Sequence, residues 1–408
     1  MSRDQAKAPT GAADRVPLAQ ASARRSIAVG GLFVVAAAIT ALLGAGEGRW
    51  LPLHLFMAGA LVAIIGGAST LFTVTWSAAP APSATVMWTQ RGLCAAGAVL
   101  VVSARVLEWG DAALWAGAVV FIAGLVLLAS VLVMTVRQGV KRRFDTAVAW
   151  YVCALIAAVV AATIGGDLGT GGATIGLRNA HVVLNLLGFI GLITAGTLPS
   201  FIATVGRTKM SSRSTEPVLR ALLAAMVVGV AAASVGYVIE LRWASVFGLG
   251  IYAAGLVFLA TRLPRPTRRS LDWAGPRLLA LWLGMGWWTV AVAFAAVDTA
   301  REGLPLADNW TLVLVVAAYG QILWGALAYL LPVLQGPGHE ALTRGFAAVR
   351  SWVGLVAVNV AGLAWVADQA MLARVAVAVW LADGAFRLAR FGLGIVSHRP
   401  EDTVTSGT

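Results

Sequence analysis

The sequence predicts an all-α polytopic membrane protein of twelve transmembrane helices, and three observations predict it. Of 408 residues, 59% are hydrophobic and 12% charged, with a mean hydropathy of +0.84. A soluble domain carries about 25% charged residues and under about 50% apolar ones. Apolar runs recur from Ile27 to Val396, and a bilayer core needs roughly 20 such residues per helix. The third observation is charge placement. With the N-terminus in the cytoplasm, only Arg49, Arg105, Arg178, Arg242, Arg301 and Arg374 fall at outer ends, 6 of the 30 Lys and Arg. The other 24 (30 minus 6) fall inside. That bias follows the positive-inside rule and supports an even number of spans with both termini cytoplasmic. It also reassigns the net charge of +12 from a nucleic-acid partner to membrane orientation.

The elements follow in order. Residues 1–25 form a polar cytoplasmic tail without a secretory cleavage pattern, so the first span, 26–45, is an uncleaved anchor. The second span, 51–75, starts beside Trp50 and carries His54 and Met57. The third and fourth are 88–106 and 112–136; the fifth is 146–165. Cys94 and Cys153 lie in the inner parts of the third and fifth, where two thiols at lipid depth read as packing rather than a disulfide scaffold. The sixth span, 179–204, carries His181, Asn185, Thr194 and Thr197. The seventh and eighth are 218–238 and 243–262. The ninth, 277–297, holds Trp282, Trp287 and Trp288 as packing residues. The tenth, 310–334, contains Tyr319, Gln321 and Tyr329. The eleventh is 350–367. The twelfth, 371–396, carries Asp383 and Arg387 at i,i+4 spacing, a structural ion pair or, alternatively, part of a proton path. Residues 397–408 are a cytoplasmic tail. Trp50, Trp76, Trp88, Trp109, Trp243 and Trp310 near span ends fit an interfacial aromatic belt. Short loops leave no room for a soluble domain, so any chemistry belongs to the bundle or its mouths.

A repeat runs through the spans. An offset of 127 (181 minus 54) aligns His54 with His181 and Thr70 with Thr197. An offset of 133 (332 minus 199) aligns Pro199 with Pro332 and places Leu314 where a histidine would fall. The implied quasi-repeats are about 26–136, 146–262 and 277–396, three units of four helices.

Histidine within a span is uncommon and marks a functional hypothesis. His54 and His181 each sit about one turn inside the outer end of their helix. Neutral imidazole ligates haem iron or copper, so a pair at one depth suits either cofactor. The alternative is bonding to loop carbonyls and headgroups. Gly59, Gly66, Gly67, Gly188, Gly191 and Gly196 offer clearance for a porphyrin or for close helix packing. Asn185, one turn below His181, can orient a ligand. Met57, three residues after His54, is a candidate soft copper ligand. Arg178 in the loop before His181 can hold a haem propionate, as can the outer-end Arg105 and Arg242; the alternative is that these are ordinary interfacial charges. His339 and His398 read as solvated loop residues.

Two segments, Arg178-Asn-Ala-His-Val-Val-Leu-Asn-Leu-Leu-Gly running on to Ala-Gly-Thr-Leu-Pro199, and Gly325-Ala-Leu-Ala-Tyr-Leu-Leu-Pro-Val-Leu-Gln-Gly336, resemble a group of twelve-span membrane proteins of high-GC bacteria. That group looks like a distant branch of the haem–copper oxidase subunit I fold, near the NnrS-type haem- and copper-containing membrane proteins. The resemblance implies a bundle of three four-helix arcs. It implies that His54 matches the axial ligand of a low-spin haem, and that His181 approximately matches a copper ligand. The departures are specific. The tenth span has no histidine, no adjacent histidines follow the seventh, and the sixth lacks a Pro-Glu-Val-Tyr continuation. Oxygen reduction is therefore not expected.

The resulting expectation is an inner-membrane protein that binds haem b, copper or both on the outer side, in electron transfer, sensing, or nitrogen-oxide or copper metabolism. A periplasmic redox or copper protein is the expected partner, besides the lipid bilayer. Two other classes remain: a secondary transporter of a small solute, and a non-catalytic membrane subunit.

Overall fold

A computed structural model describes residues 12–44, 48–141, 144–172, 174–302, 308–335 and 339–396. The described residues form helices joined by short turns and connections, without a strand. We number the helices α1 (Ala12–Leu42), α2 (Trp50–Trp76), α3 (Ala84–Val106), α4 (Asp111–Arg137), α5 (Asp145–Gly169), α6 (Ile175–Val205), α7 (Glu216–Val238), α8 (Arg242–Arg262), α9 (Arg268–Ala274), α10 (Pro276–Glu302), α11 (Asn309–Leu334), α12 (His339–Ala348), α13 (Trp352–Val366) and α14 (Ala370–Val396). Among the described residues, ten helices are long and apolar enough to cross a membrane: α1 to α8, α10 and α11. An eleventh crossing forms if α12 and α13, bent by 41° at their junction, act as one span. The 27-residue α14 is long enough but carries Arg374, Asp383, Arg387 and Arg390. The chain is an all-α polytopic membrane protein.

The chain divides into two compact units. The first comprises Met1–Leu198 and Thr215–Gly255; the second comprises Pro199–Ser214 and Leu256–Thr408. In the first, α1 packs on α2, α3 on α4, α4 on α5, α5 on α6 and α6 on α7. In the second, α10 packs on α11, and α13 on both α11 and α14. Small residues let the backbones approach, as membrane helices require. At the α3–α4 seam, a Cβ on Gly117 would lie 2.7 Å from the Val101 nitrogen, and one on Gly124 2.8 Å from the Cys94 nitrogen. Cys94 and Cys153 are both free thiols, Cys94 buried in this seam.

α1 begins well before the apolar run that predicts it. Residues 12–25, expected as tail, are helical. Arg91 of α3 explains the extension. Its guanidinium, only 4% exposed, donates to the Ser22 carbonyl (2.9 Å), the Ser22 hydroxyl (3.1 Å) and the Ser26 hydroxyl (3.2 Å). Ala19 and Ala23 are buried on the same side. Tertiary hydrogen bonds thus carry the helix through a polar stretch. The rest of the two expected tails, residues 1–11 and 397–408 with His398, lies outside the described residues. His339 is the exposed first residue of α12.

Three spans share a rarer feature. π-helical turns, with bonds from i to i+5, occupy Leu55–Leu61 in α2, Leu184–Gly191 in α6 and Val313–Gly320 in α11. Their starts are 129 residues apart in both intervals (184 minus 55, 313 minus 184).

Five helices end alike. Ala78, Glu108, Arg207, Glu240 and Asp368, each two residues past the last helical one, take φ of 50–56°. The next N–H in each case returns to the carbonyl five residues earlier, as in Thr208 to Ala203 and Gln369 to Ala364. This is the Schellman closure, here built without glycine.

Candidate functional site

His54 and His181 come together in the first unit. Their ring centroids are 6.4 Å apart with planes inclined by 17°. That separation is too long for ring stacking in contact. Two imidazoles bound on opposite sides of one metal through bonds of ~2 Å have centroids roughly 6 Å apart.

Each ring is held by its inner nitrogen. His54 Nδ1 lies 2.8 Å from the Trp50 carbonyl one turn earlier, and its ring stacks on the Trp50 indole with centroids 4.2 Å apart. His181 Nδ1 lies 2.8 Å from the carbonyl of Ala161 on α5. A carbonyl oxygen only accepts, so both Nδ1 atoms carry the proton and both Nε2 atoms carry a lone pair. A metal-ligating histidine is oriented in this way by its second nitrogen. Gly165 admits the His181 ring to α5, since a Cβ there would lie 2.9 Å from His181 Cε1.

Asn185 sits beside the same ring. Its Nδ2 donates to the His181 carbonyl (2.9 Å) and approaches His181 Nε2 at 3.3 Å. It therefore covers the lone pair that a metal would use. His54 Nε2 has no hydrogen-bond partner among the described residues. Arg178 is exposed, one turn before His181. Met57 lies within the first π turn. The α-helical i,i+3 relation that placed it on the His54 face does not apply there, because π winding changes the register.

Four of the six glycines expected to clear space for a porphyrin are used for close packing. Gly59 faces the Phe33 ring, Gly67 the Ser26 side chain, Gly188 the Ala157 methyl and Gly196 the Trp150 side chain. Among the described residues, no group of three or more His, Cys, Asp and Glu side chains is placed to hold a metal ion. The histidine pair is a two-ligand set, unlike a closed four-ligand zinc site.

No family model matches this chain. No curated protein matches it either. The site is thus described by its own geometry.

Other residues marked in the sequence fall elsewhere. Thr70 and Thr197 donate to the carbonyls of Gly66 (2.8 Å) and Ile193 (2.7 Å) four residues earlier, a common use of threonine in apolar helices. Asp383 and Arg387 pair at 3.3 Å. Trp287 does more than pack: its Nε1 donates to Asn359 at 2.7 Å. Trp50, Ala161 and Gly165 complete the histidine site and carry no sequence signal of that role. A backbone carbonyl acceptor is invisible to residue type, and Gly165 has the appearance of an ordinary membrane-helix glycine.

Proposed function

We propose that the protein is a twelve-span membrane metalloprotein that carries copper between His54 and His181 on the outer side of the cell membrane. The supporting observation is the imidazole pair itself, with both Nδ1 protons given to carbonyls, the His54 Nε2 lone pair open, and the His181 Nε2 lone pair met only by the Asn185 amide at 3.3 Å. Imidazole suits copper and iron. The packing of Gly59, Gly67, Gly188 and Gly196 against neighbouring side chains favours a small ion over a porphyrin. Haem held by the same two residues is the second reading, favoured by the 6.4 Å centroid separation and by the resemblance to haem–copper oxidase-like and NnrS-type proteins.

When bound, copper supplies a one-electron couple. His54 and His181 would hold the ion, the Trp50 and Ala161 carbonyls fix their tautomers, and Asn185 would have to release His181 Nε2 for the ion to bind there. A periplasmic redox or copper protein is the partner such a site serves. The twelve spans fall into three four-helix units, α12 and α13 forming one crossing and α14 the last. The π turns spaced 129 residues apart in the second, sixth and tenth spans support that repeat.

Purified protein decides the cofactor. Metal analysis is expected to find copper at up to one ion per chain, lost in both His54→Ala and His181→Ala. A Soret band in the reduced-minus-oxidised spectrum, lost in the same variants, would instead assign haem. Neither copper nor haem after purification and copper loading would reject the proposal.

A further inference from the structure

The second unit contains a group of cations with no anion to match it. Arg277, at the start of α10, is 7% exposed. Its one hydrogen bond among the described residues runs from Nη2 to the Trp273 carbonyl, at 3.3 Å, and its buried Nε has no partner. The guanidinium lies over the Phe346 ring at 4.2 Å and near the Trp273 ring at 5.2 Å. Arg207 covers the same Trp273 ring, 3.3 Å from its centroid. Arg350 packs its guanidinium on Gly275, just before α10 begins. The positive end of the α10 dipole adds to the same field. None of the three arginines has a salt bridge among the described residues. Aromatic faces attract a cation but do not cancel its charge, and a buried charge without a counter-charge is costly.

Arg277 and Arg350 line a small cavity, together with Ser351, Gln321, Trp324 and Trp380. Its free interior is about 20 Å³, enough for one or two water-sized groups. The walls are not those of a dry void. Gln321 is 1% exposed, and neither its Nε2 nor its Oε1 has a hydrogen-bond partner. Arg277 and Gln321, each more than nine-tenths buried, thus leave N–H groups unused beside one cavity. Buried polar groups are hydrogen-bonded as a rule, so the missing partner is something the cavity takes up. Water serves the amide, which both donates and accepts, but it does not neutralise the arginines. The chain's own acids do not either. Tyr329, the phenol that acts on Arg277, is neutral at neutral pH. Asp383, next to Ser351, is engaged by the Ser351 hydroxyl and by Arg387.

We propose that this cavity holds one small inorganic anion, of the size of chloride, beside Arg277 as the counter-ion of the arginine group. A halide asks only for N–H donors and positive charge, and Arg277 and Arg350 supply both. Phosphate and sulfate, with five heavy atoms each, exceed the space. The arginines lie at the helix ends that the charge bias assigns to the cytoplasm, so the ion exchanges with that side. The site is independent of the histidine pair.

The test is the broadening of the chloride NMR signal by the full-length protein in phosphatidylcholine nanodiscs, titrated with sodium chloride in gluconate buffer. Exchange with a protein site broadens this signal, and an ion that competes for the site reverses the effect. The wild type is expected to broaden it saturably. Bromide is expected to reverse the broadening at a similar concentration, whereas sulfate at equal ionic strength leaves most of it. Arg277→Met is expected to weaken chloride about tenfold. Arg350→Gln, on an exposed side chain, is expected to weaken it about threefold. No saturable broadening in the wild type means that the cavity holds water alone, and overturns the proposal. Sulfate as effective as bromide also overturns it, since that marks loose ions at surface cations. So does an affinity unchanged in both arginine variants, Arg350→Gln deciding alone where Arg277→Met does not fold.

Discussion

A histidine that gives its Nδ1 proton to a carbonyl has one nitrogen left for a metal. In His54 that nitrogen is open, whereas in His181 the Asn185 amide competes for it at 3.3 Å. Asn185→Ala removes the competitor. A hydrogen bond of this kind is worth ~1 kcal/mol, so the variant is expected to bind copper roughly fivefold more tightly in a competition titration. Weaker binding would make Asn185 a support for the ligand rather than its rival. The meeting of His54 and His181 was legible in the sequence, because equal depth on two spans makes it plausible. Their hydrogen-bond acceptors were not. The Ala161 carbonyl belongs to another helix, and Gly165 matters only because an imidazole from α6 arrives there. Arg277 was equally opaque: as a residue type it is one of many inner-side cations, and only packing reveals that it is buried.

The apolar runs located helices α2 to α8, α10 and α11 closely, since length and hydropathy define a lipid-crossing rod. They failed where tertiary bonds override composition. α1 extends through Arg24 and Arg25 because Arg91 reaches back to Ser22 and Ser26. They failed again at the closures, where no glycine marks the end of the helix. The exposed Glu108 and Asp368 adopt left-handed φ of 53° and 55°, which disfavours an L side chain, and each places a negative charge at the negative end of a helix. Glu108→Gly and Asp368→Gly are each expected to stabilise the protein by ~0.5–1 kcal/mol, read as a rise in Tm. A fall would show that these side chains make contacts worth more than the backbone strain. The π turns had no signature in composition, because inserting one residue into an apolar helix leaves its hydropathy unchanged.

At the scale of the whole molecule, the distribution of Lys and Arg predicts which side of the membrane each loop faces. Single cysteines on a background lacking Cys94 and Cys153 test it in right-side-out spheroplasts. Gly171→Cys, after α5, is expected to react with a membrane-impermeant maleimide, and Lys209→Cys, after α6, only once the membrane is opened. The reverse pattern would invert the topology and place the histidine pair on the cytoplasmic side. The division into two units also sets the timing of biosynthesis. The first unit is interrupted: its closing stretch, Thr215–Gly255, follows a piece of the second unit, Pro199–Ser214. The ribosome therefore delivers residues 199–214 long before their own unit exists. With 194 residues still to be made (408 minus 214), that segment waits about 10–40 s at synthesis rates of ~5–20 residues per second. Trp273 and Arg277 follow Arg207 by 66 and 70 residues (273 minus 207, 277 minus 207), so for about the first 3–14 s at the same rates Arg207 has neither beside it.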